Sequence, residues 1–192
     1  MTRPALKRLI VLLVTCAVGA IAAVAVASGS AAASATWSSV GTLTFKDTTS
    51  GFAMTCSGST AAMVPANTGT NPFGHITSIS FTGCTGPAGA ITLTPKELSW
   101  PVNASPAART VGETSGGHGV SVDVTTTGCS ANVDGTGAHT GTGVVHFAFS
   151  HKSGALGVQL SGGNLHIYAV SGCGGVVSDG DTASLTVAYR IS

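Results

Sequence analysis

The chain has 192 residues, only 8% of them charged, and a formal net charge of +1. Three of its eight basic residues, Arg3, Lys7 and Arg8, lie at the very start, and the other five stand singly. A nucleic-acid surface needs clustered lysine and arginine to displace counterions. This composition therefore excludes a nucleic-acid partner.

The first 35 residues predict a secretory signal peptide. The basic start is followed by an almost wholly apolar run from Leu9 to Ala27. Ala25-Val26-Ala27 and Ala33-Ser34-Ala35 both fit the small-residue pattern of signal peptidase sites, so cleavage after Ala27 or after Ala35 stays open. Because the run approaches the ~20 residues of a membrane span, an uncleaved anchor is the alternative. We expect a secreted or envelope-associated chain with no membrane contact after cleavage.

Residues 36–192 then form one expected domain of about 157 residues. Its alternation of apolar with Thr and Ser positions is typical of half-buried strands. In chain order the alternating segments are 40–45, 52–56, 76–82, 91–94, 98–102, 120–124, 129–133, 145–149, 156–160, 165–169 and 185–191. Glycine-rich turns separate them, which indicates an all-β sandwich or barrel of about ten short antiparallel strands.

A Gly- and Pro-containing stretch, 103–118, breaks this pattern and predicts the connection between two halves, 36–102 and 119–192. Two stretches, 76–94 and 165–189, both read strand, Gly-Cys, turn, strand. They predict two hairpins and a weak internal duplication.

Four cysteines remain after the leader, Cys56, Cys84, Cys129 and Cys173. An even number in an exported chain indicates two disulfides, for which three connectivities exist. We favour Cys56–Cys84 and Cys129–Cys173, because each pair then lies in one half and the halves match. A metal or redox use is disfavoured, since CxxC spacing is absent from the sequence.

The segments FTGCTGPAGAITLTP, SWPVNA, TTTGCSANVDGTG and SGCGGVVSDGDTASLTVAYRIS carry a resemblance over most of the mature chain. The chain resembles uncharacterised small secreted disulfide-containing Thr/Gly-rich β-proteins of actinobacteria. The resemblance implies an exported protein and assigns no activity.

Catalytic patterns are weak. The sequence contains neither GxSxG nor HExxH, and any Ser/His/Asp triad chosen from so many serines would be arbitrary. Glycan hydrolysis needs two acids across a cleft, and Glu97, near Trp100, or Asp179 and Asp181 with a histidine are the candidates. We assign no catalytic residue and expect no cofactor.

Metal ligands are the remaining candidates. His146 and His166 are out of phase with their apolar neighbours and are expected to face outward, with His151 at the end of one strand, an arrangement that suits zinc. Asp179-Gly180-Asp181 offers closely spaced oxygens for calcium, although Asp-Gly is also a hairpin turn. We interpret both groups as structural first.

The sequence thus predicts a non-enzymatic β-domain that binds an unknown extracellular or cell-wall ligand or serves as a structural component, with self-association through exposed strand edges as a further expectation. A secreted glycan hydrolase and a His-based metal-binding domain are the alternatives.

Overall fold

The computed structural model describes residues 34–66, 71–105, 108–113, 118–152 and 155–192. The predicted signal peptide, apart from its last two residues, lies outside these residues, and so do positions 153–154 between the expected strand segments 145–149 and 156–160. The described residues form one compact unit.

The described residues form fourteen strands. They are β1 (Ala35–Ser39), β2 (Leu43–Asp47), β3 (Ala53–Pro65), β4 (Gly74–Gly86), β5 (Gly89–Ala90), β6 (Thr92–Lys96), β7 (Trp100–Ser105), β8 (Ala108–Gly112), β9 (Ser121–Thr126), β10 (Cys129–Asp134), β11 (Val144–Lys152), β12 (Ala155–Ser161), β13 (His166–Ser171) and β14 (Ala183–Ile191). The all-β prediction is confirmed.

Eight strands close a barrel in which every pairing is antiparallel. Its order is β3-β4-β7-β8-β11-β12-β14-β2, and β2 returns to β3. Each of these strands has a partner on both sides, although β4 pairs with β7 only at its start, from Gly74 to Ile76, and β11 pairs with β8 only from Val144 to His146. Strands from both predicted halves build the same barrel.

The strand β1 lies in the same gap between β3 and β14 as β2, but towards the other end of the barrel. Trp37 pairs with Ile191 and Ala61, whereas Phe45 pairs with Leu185 and Met54. The extended conformation is interrupted between the two strands at Gly41, whose φ of 83° favours glycine.

Four other strands form a second sheet, which we call the small sheet, in the order β13-β10-β9-β6. Its inner face carries apolar side chains that join one hydrophobic core with the barrel interior. These side chains are Leu93, Val122, Val124, Ala131, Val133 and Ile167. The domain is therefore a barrel with a sheet packed against it.

Two connections differ from the sequence prediction. Residues 103–118 are not simply a connection, because β7 and β8 pair as a hairpin, Val102 opposite Val111, and complete the barrel. The chain also leaves the small sheet after β13 and enters the barrel as β14, and only the segment before β14 contacts β13, through the bridge between His166 and Thr182 and nearby backbone hydrogen bonds. The second hairpin prediction was therefore wrong, because the two strands pair with other partners.

Both disulfides have the predicted connectivity. Cys56 and Cys84 lie directly opposite each other on β3 and β4 of the barrel. Cys129 begins β10 of the small sheet and joins Cys173, in the loop after β13. The two repeated stretches thus occupy different places in the fold.

In the part of the chain described here, no helix has the length and apolar character needed to cross a membrane.

Candidate functional site

A cleft of about 370 Å³ lies between the inner face of the small sheet and the barrel. Phe45, Phe52 and Met54 form its barrel side, and Val124, Ala131, Val133 and Ile167 form its small-sheet side. The remaining lining residues are Pro87, Ala88, Ile91, Thr126, Thr127, Cys129, Gly172, Cys173, Gly174, Val176 and Val177. We call this space the apolar cleft.

The mouth of the apolar cleft is formed by three turns that are distant in sequence. Pro87 and Ala88 come from the β4–β5 turn, Thr127 from the β9–β10 turn, and Gly172, Gly174 and Val176 from the loop after β13. All of these residues are exposed. The turns that follow β4, β9 and β13, each close in sequence to a Gly-Cys pair, therefore meet around one opening.

Glycine is required where two of these turns touch. Gly172 has a φ of 71°, and a Cβ atom there would lie 2.0 Å from the carbonyl oxygen of Gly128. Thr126 adds a second tie, since its hydroxyl donates a hydrogen bond of 2.8 Å to the carbonyl of Ala90. The Cys129–Cys173 disulfide adds a covalent one and itself lines the cleft. The opening is thus a cross-linked rim.

Chemically, the lining is uniform. Among the described residues that line it there is no Asp, Glu, Lys, Arg or His, and their polar side chains are the hydroxyls of Thr126 and Thr127. Ligand pockets typically enclose about 300–1,000 Å³ and combine apolar walls with a few polar groups. The apolar cleft fits that description and offers no group for acid–base chemistry.

The opposite face of the small sheet is polar. Residues 135–142, the covering loop, fold over it, so that Asn132 and Asp134 are 1% and 0% exposed. The Asp134 carboxylate accepts hydrogen bonds from the backbone N–H groups of Gly135, Gly141 and Thr142 at 2.6–2.9 Å. This buried anion holds both ends of the covering loop.

The Asn132 side chain fixes the middle of the covering loop. Its oxygen accepts a hydrogen bond from the backbone N–H of His139 at 3.0 Å, and its amide donates to Asp123 at 3.0 Å. Asp123 in turn pairs with Lys96 at 3.0 Å, and the His139 ring lies 3.6 Å away. The hydrogen bonds and ion pairs on this face of the small sheet therefore hold the covering loop in place.

Two buried carboxyl groups have altered pKa values. Burial raises the pKa of Asp134, but the backbone N–H donors of Thr142, Gly135 and Gly141 outweigh it and leave the pKa below its ordinary value. At the end of β2, burial likewise raises the pKa of Asp47, and hydrogen bonds from Ser50 and Thr49 bring it below the ordinary value. Both carboxylates fasten the chain that follows a strand.

The structure does not bring the predicted histidine ligands together. His146 is exposed on β11 of the barrel, opposite Thr110 and Ser161, whereas His166 is half-buried on β13 of the small sheet. The side chain of His151 lies outside the described residues. His166 has the predicted outward phase, opposite Asp134, but its ring is engaged, because its Nδ1 contacts the carbonyls of Gly135 and Asn164 at 3.1 and 2.9 Å.

Asp179-Gly180-Asp181 covers the outer edge of β13. The Asp179 carboxylate accepts a hydrogen bond from the Val170 N–H at 2.9 Å, and Ile167 exchanges backbone hydrogen bonds with Gly180 and Asp181, both 2.8 Å. The Asp181 carboxylate accepts one from Ser178 within the turn. These contacts give the segment an architectural role as an edge cover.

Glu97 and Asp181, two of the acids considered for hydrolysis, lie apart. Glu97 follows β6 and Asp181 contacts β13, the two outer strands of the small sheet. Three interstrand spacings put them at least roughly 14 Å apart, beyond the about 5–10 Å used by glycoside hydrolases. Glu113 instead lines a depression of about 190 Å³ with His75 and His118. Across the described residues, no three His, Cys, Asp or Glu side chains are placed to hold a metal ion.

No family model matches this chain, and the searches of the curated proteins and of the solved structures found no match either.

Sequence reasoning missed both the apolar cleft and the buried anion. Asn132 and Asp134 alternate with the inward Val133 at the end of a strand, followed by a Gly/Thr-rich run, which is a signal for a loop held by acceptors. The cleft had a weaker signal, namely the apolar pair Val176-Val177 within the glycine-rich turn that follows Gly172-Cys173.

Proposed function

We propose that this chain is an exported, non-catalytic binding module that holds an apolar ligand in the apolar cleft. The observation that most supports this proposal is the space of about 370 Å³ with uncharged walls between the barrel and the small sheet. Burying apolar ligand surface there is favourable by about 25 cal/mol per Å².

Three features support export and binding together. The signal-like leader and two disulfides fit an oxidising compartment. The Cys129–Cys173 disulfide and the hydrogen bond from Thr126 to Ala90 hold the rim in place before a ligand arrives. A preformed site loses less ordering entropy on binding. A purely structural module has no need for such an opening.

The absence of titratable side chains from the lining favours binding over catalysis. Hydrolysis requires a positioned nucleophile, acid or base, and Thr126 and Thr127 are the hydroxyl-bearing residues of the cleft. The Thr126 hydroxyl already donates a hydrogen bond to the carbonyl of Ala90. The ligand is therefore held and released unchanged.

The test uses residues 28–192 in the oxidised form and N-phenyl-1-naphthylamine, an uncharged dye that fluoresces in apolar sites. Ala131 faces the cleft with a single methyl group, so Ala131→Phe places an aromatic ring in the space. We expect at least tenfold weaker dye binding than in the wild type, measured by fluorescence titration.

The matched control is Ala188→Phe, which adds the same ring at an exposed position on β14. It should bind the dye as the wild type does. Equal dye affinity of Ala131→Phe and the wild type, with both variants folded by circular dichroism, would remove the cleft from consideration.

A further inference from the structure

We infer that the ligand of the apolar cleft is an uncharged linear hydrocarbon chain of about a dozen carbon atoms that carries a neutral polar end, such as a hydroxyl, at the mouth. This inference rests on the proposed function and specifies the ligand.

Charge is the first argument. Placing a charged group at an apolar site without a partner is costly, and the lining contains neither a cation for a carboxylate or phosphate nor an anion for an ammonium. A neutral group loses much less hydration at the same place. The cleft therefore discriminates against charged amphiphiles of equal length.

The mouth supplies contacts for a neutral end. The Thr127 side chain is exposed at the rim, beside backbone groups of Gly172 and Gly174. The Thr126 hydroxyl donates to Ala90, so its oxygen keeps the capacity to accept a hydrogen bond. A hydroxyl, which both donates and accepts, matches this set.

Shape is the second argument. Packed sheets lie about 10 Å apart, and this distance is nearly filled where large side chains meet. Ala131 and Val124 carry small side chains on the small-sheet side of the cleft, and Met54 and Phe45 line its barrel side. The lining extends from the exposed rim to the buried side chains of Val133 and Ile167, from which we infer an elongated slot. A slot between sheets accepts a single chain.

Size sets the chain length. The space measures about 370 Å³, and a methylene group occupies about as much as a water molecule, roughly 30 Å³. About twelve such groups therefore fill the cleft. Each buried methylene contributes about 0.8 kcal/mol, which corresponds to about fourfold in affinity.

The experiment displaces N-phenyl-1-naphthylamine from residues 28–192 with 1-octanol, 1-decanol, 1-dodecanol and 1-tetradecanol, and with decanoate, dodecanoate and dodecylammonium at pH 7.5. We expect alcohol affinity to rise about fourfold per methylene and to level off near twelve carbons. Dodecanol should bind at least tenfold more tightly than either charged twelve-carbon compound. Thr127→Val, which keeps the shape of the side chain but removes its hydroxyl, should weaken dodecanol binding about threefold.

The outcomes separate this inference from the proposed function. Equal or tighter binding of dodecanoate overturns the neutral end, and affinity that does not depend on chain length overturns the linear chain. In both cases dye binding that Ala131→Phe abolishes still supports the cleft as a site. Failure of the wild type to bind the dye or any alcohol overturns both. Binding of the protein to neutral phosphatidylcholine vesicles but not to dispersed alcohols would overturn a free ligand in favour of a membrane surface.

Discussion

On the inner face of the small sheet, Val124 and Ala131 border a cleft of about 370 Å³, whereas on the outer face of the same strands Asn132 and Asp134 lie fully covered by a loop. One face leaves space open and the other fills it. The difference follows from the two kinds of interaction. A buried carboxylate is tolerated only when hydrogen-bond donors surround it, so the polar face had to close. Apolar contact has no directional requirement, so a gap on the inner face leaves no polar group without a partner.

The comparison also shows where a binding site is expected in such a protein. Polar side chains that could bind a ligand or a metal, those of Asp134, Asn132 and Asp179, already have hydrogen-bond partners within the chain. The unremarkable glycines, alanines and valines of the turns border the open space. In this domain the polar side chains stabilise the scaffold, and small apolar residues border the proposed site.

The largest expected effect comes from the disulfides, which belong to different regions. Replacing Cys129 and Cys173 together by serine should lower the free energy of unfolding by roughly 3–4 kcal/mol, because the bond closes a loop with a sequence separation of 44. It should also weaken dye binding, since the bond lines the cleft and ties down its rim. Urea unfolding and dye titration measure the two effects.

The pair Cys56 and Cys84 provides the matched control. Its separation is 28, so the double serine variant should lose a similar roughly 3–4 kcal/mol. Because neither cysteine lines the cleft, dye affinity of the folded protein should stay unchanged. If both double variants lose dye binding equally, the Cys129–Cys173 bond has no special role at the rim.

The second prediction concerns the closed face. Asp134→Asn replaces one acceptor oxygen by an N–H donor that faces backbone N–H groups, so we expect a loss of about 2–4 kcal/mol in urea unfolding. Asp123→Asn is the control on the same face. Asp123 is half-buried and its ion pair with Lys96 is partly exposed, so its loss should be below about 1 kcal/mol. Equal losses would contradict the central role of Asp134.

The same carboxylate makes stability depend on pH. The pKa of Asp134 is lower in the folded protein than its ordinary value, so the folded state binds fewer protons near pH 4 than the unfolded state. Its contribution is present above the ordinary value of about 3.9 and is lost as pH falls through the lower folded value. Asp134→Asn should therefore flatten the loss of stability between pH 5 and pH 2, and Asp47 keeps part of that loss in place. Identical pH profiles of the two proteins would refute the linkage.

Much of the fold could be predicted because side-chain alternation is local. Leu43 and Phe45, or Val187 and Tyr189, repeat every second residue and are indeed buried. The cysteine pairing was also predictable, because matched halves favoured it. The partners of each strand were harder, since β13 and β14 follow each other in the chain but lie in different sheets. Strand pairing is decided by non-local contacts that periodicity does not contain.

The cleft could not be predicted for a related reason. Its mouth needs Ala88, Thr127 and Val176 to meet, and they come from three separate turns. The stretch 103–118 was expected to be a connection because Pro106 and several glycines are typical of loops. That pattern gave too little weight to Val111, which is buried in the barrel with 4% of its surface exposed. The histidines misled it because an outward phase is no guarantee of a free side chain once a loop folds over the sheet, as happens at His166.

The smallest expected effect concerns the outer edge of β13 in the small sheet. Asp179→Ala removes the acceptor of the Val170 N–H on β13, and the cost should be about 0.5–1 kcal/mol because the site is exposed. The exchange of the Val170 amide with solvent should become faster in hydrogen-exchange NMR, while the amides of Val122 and Val133 inside the small sheet stay protected. Asp179→Asn keeps an acceptor oxygen and should leave the Val170 amide protected.

An uncovered strand edge also promotes pairing with a second copy, so the Ala variant should show more self-association in sedimentation than the Asn variant. Unchanged Val170 exchange in Asp179→Ala would mean that backbone pairing of Ile167 with Gly180 and Asp181 covers this edge by itself.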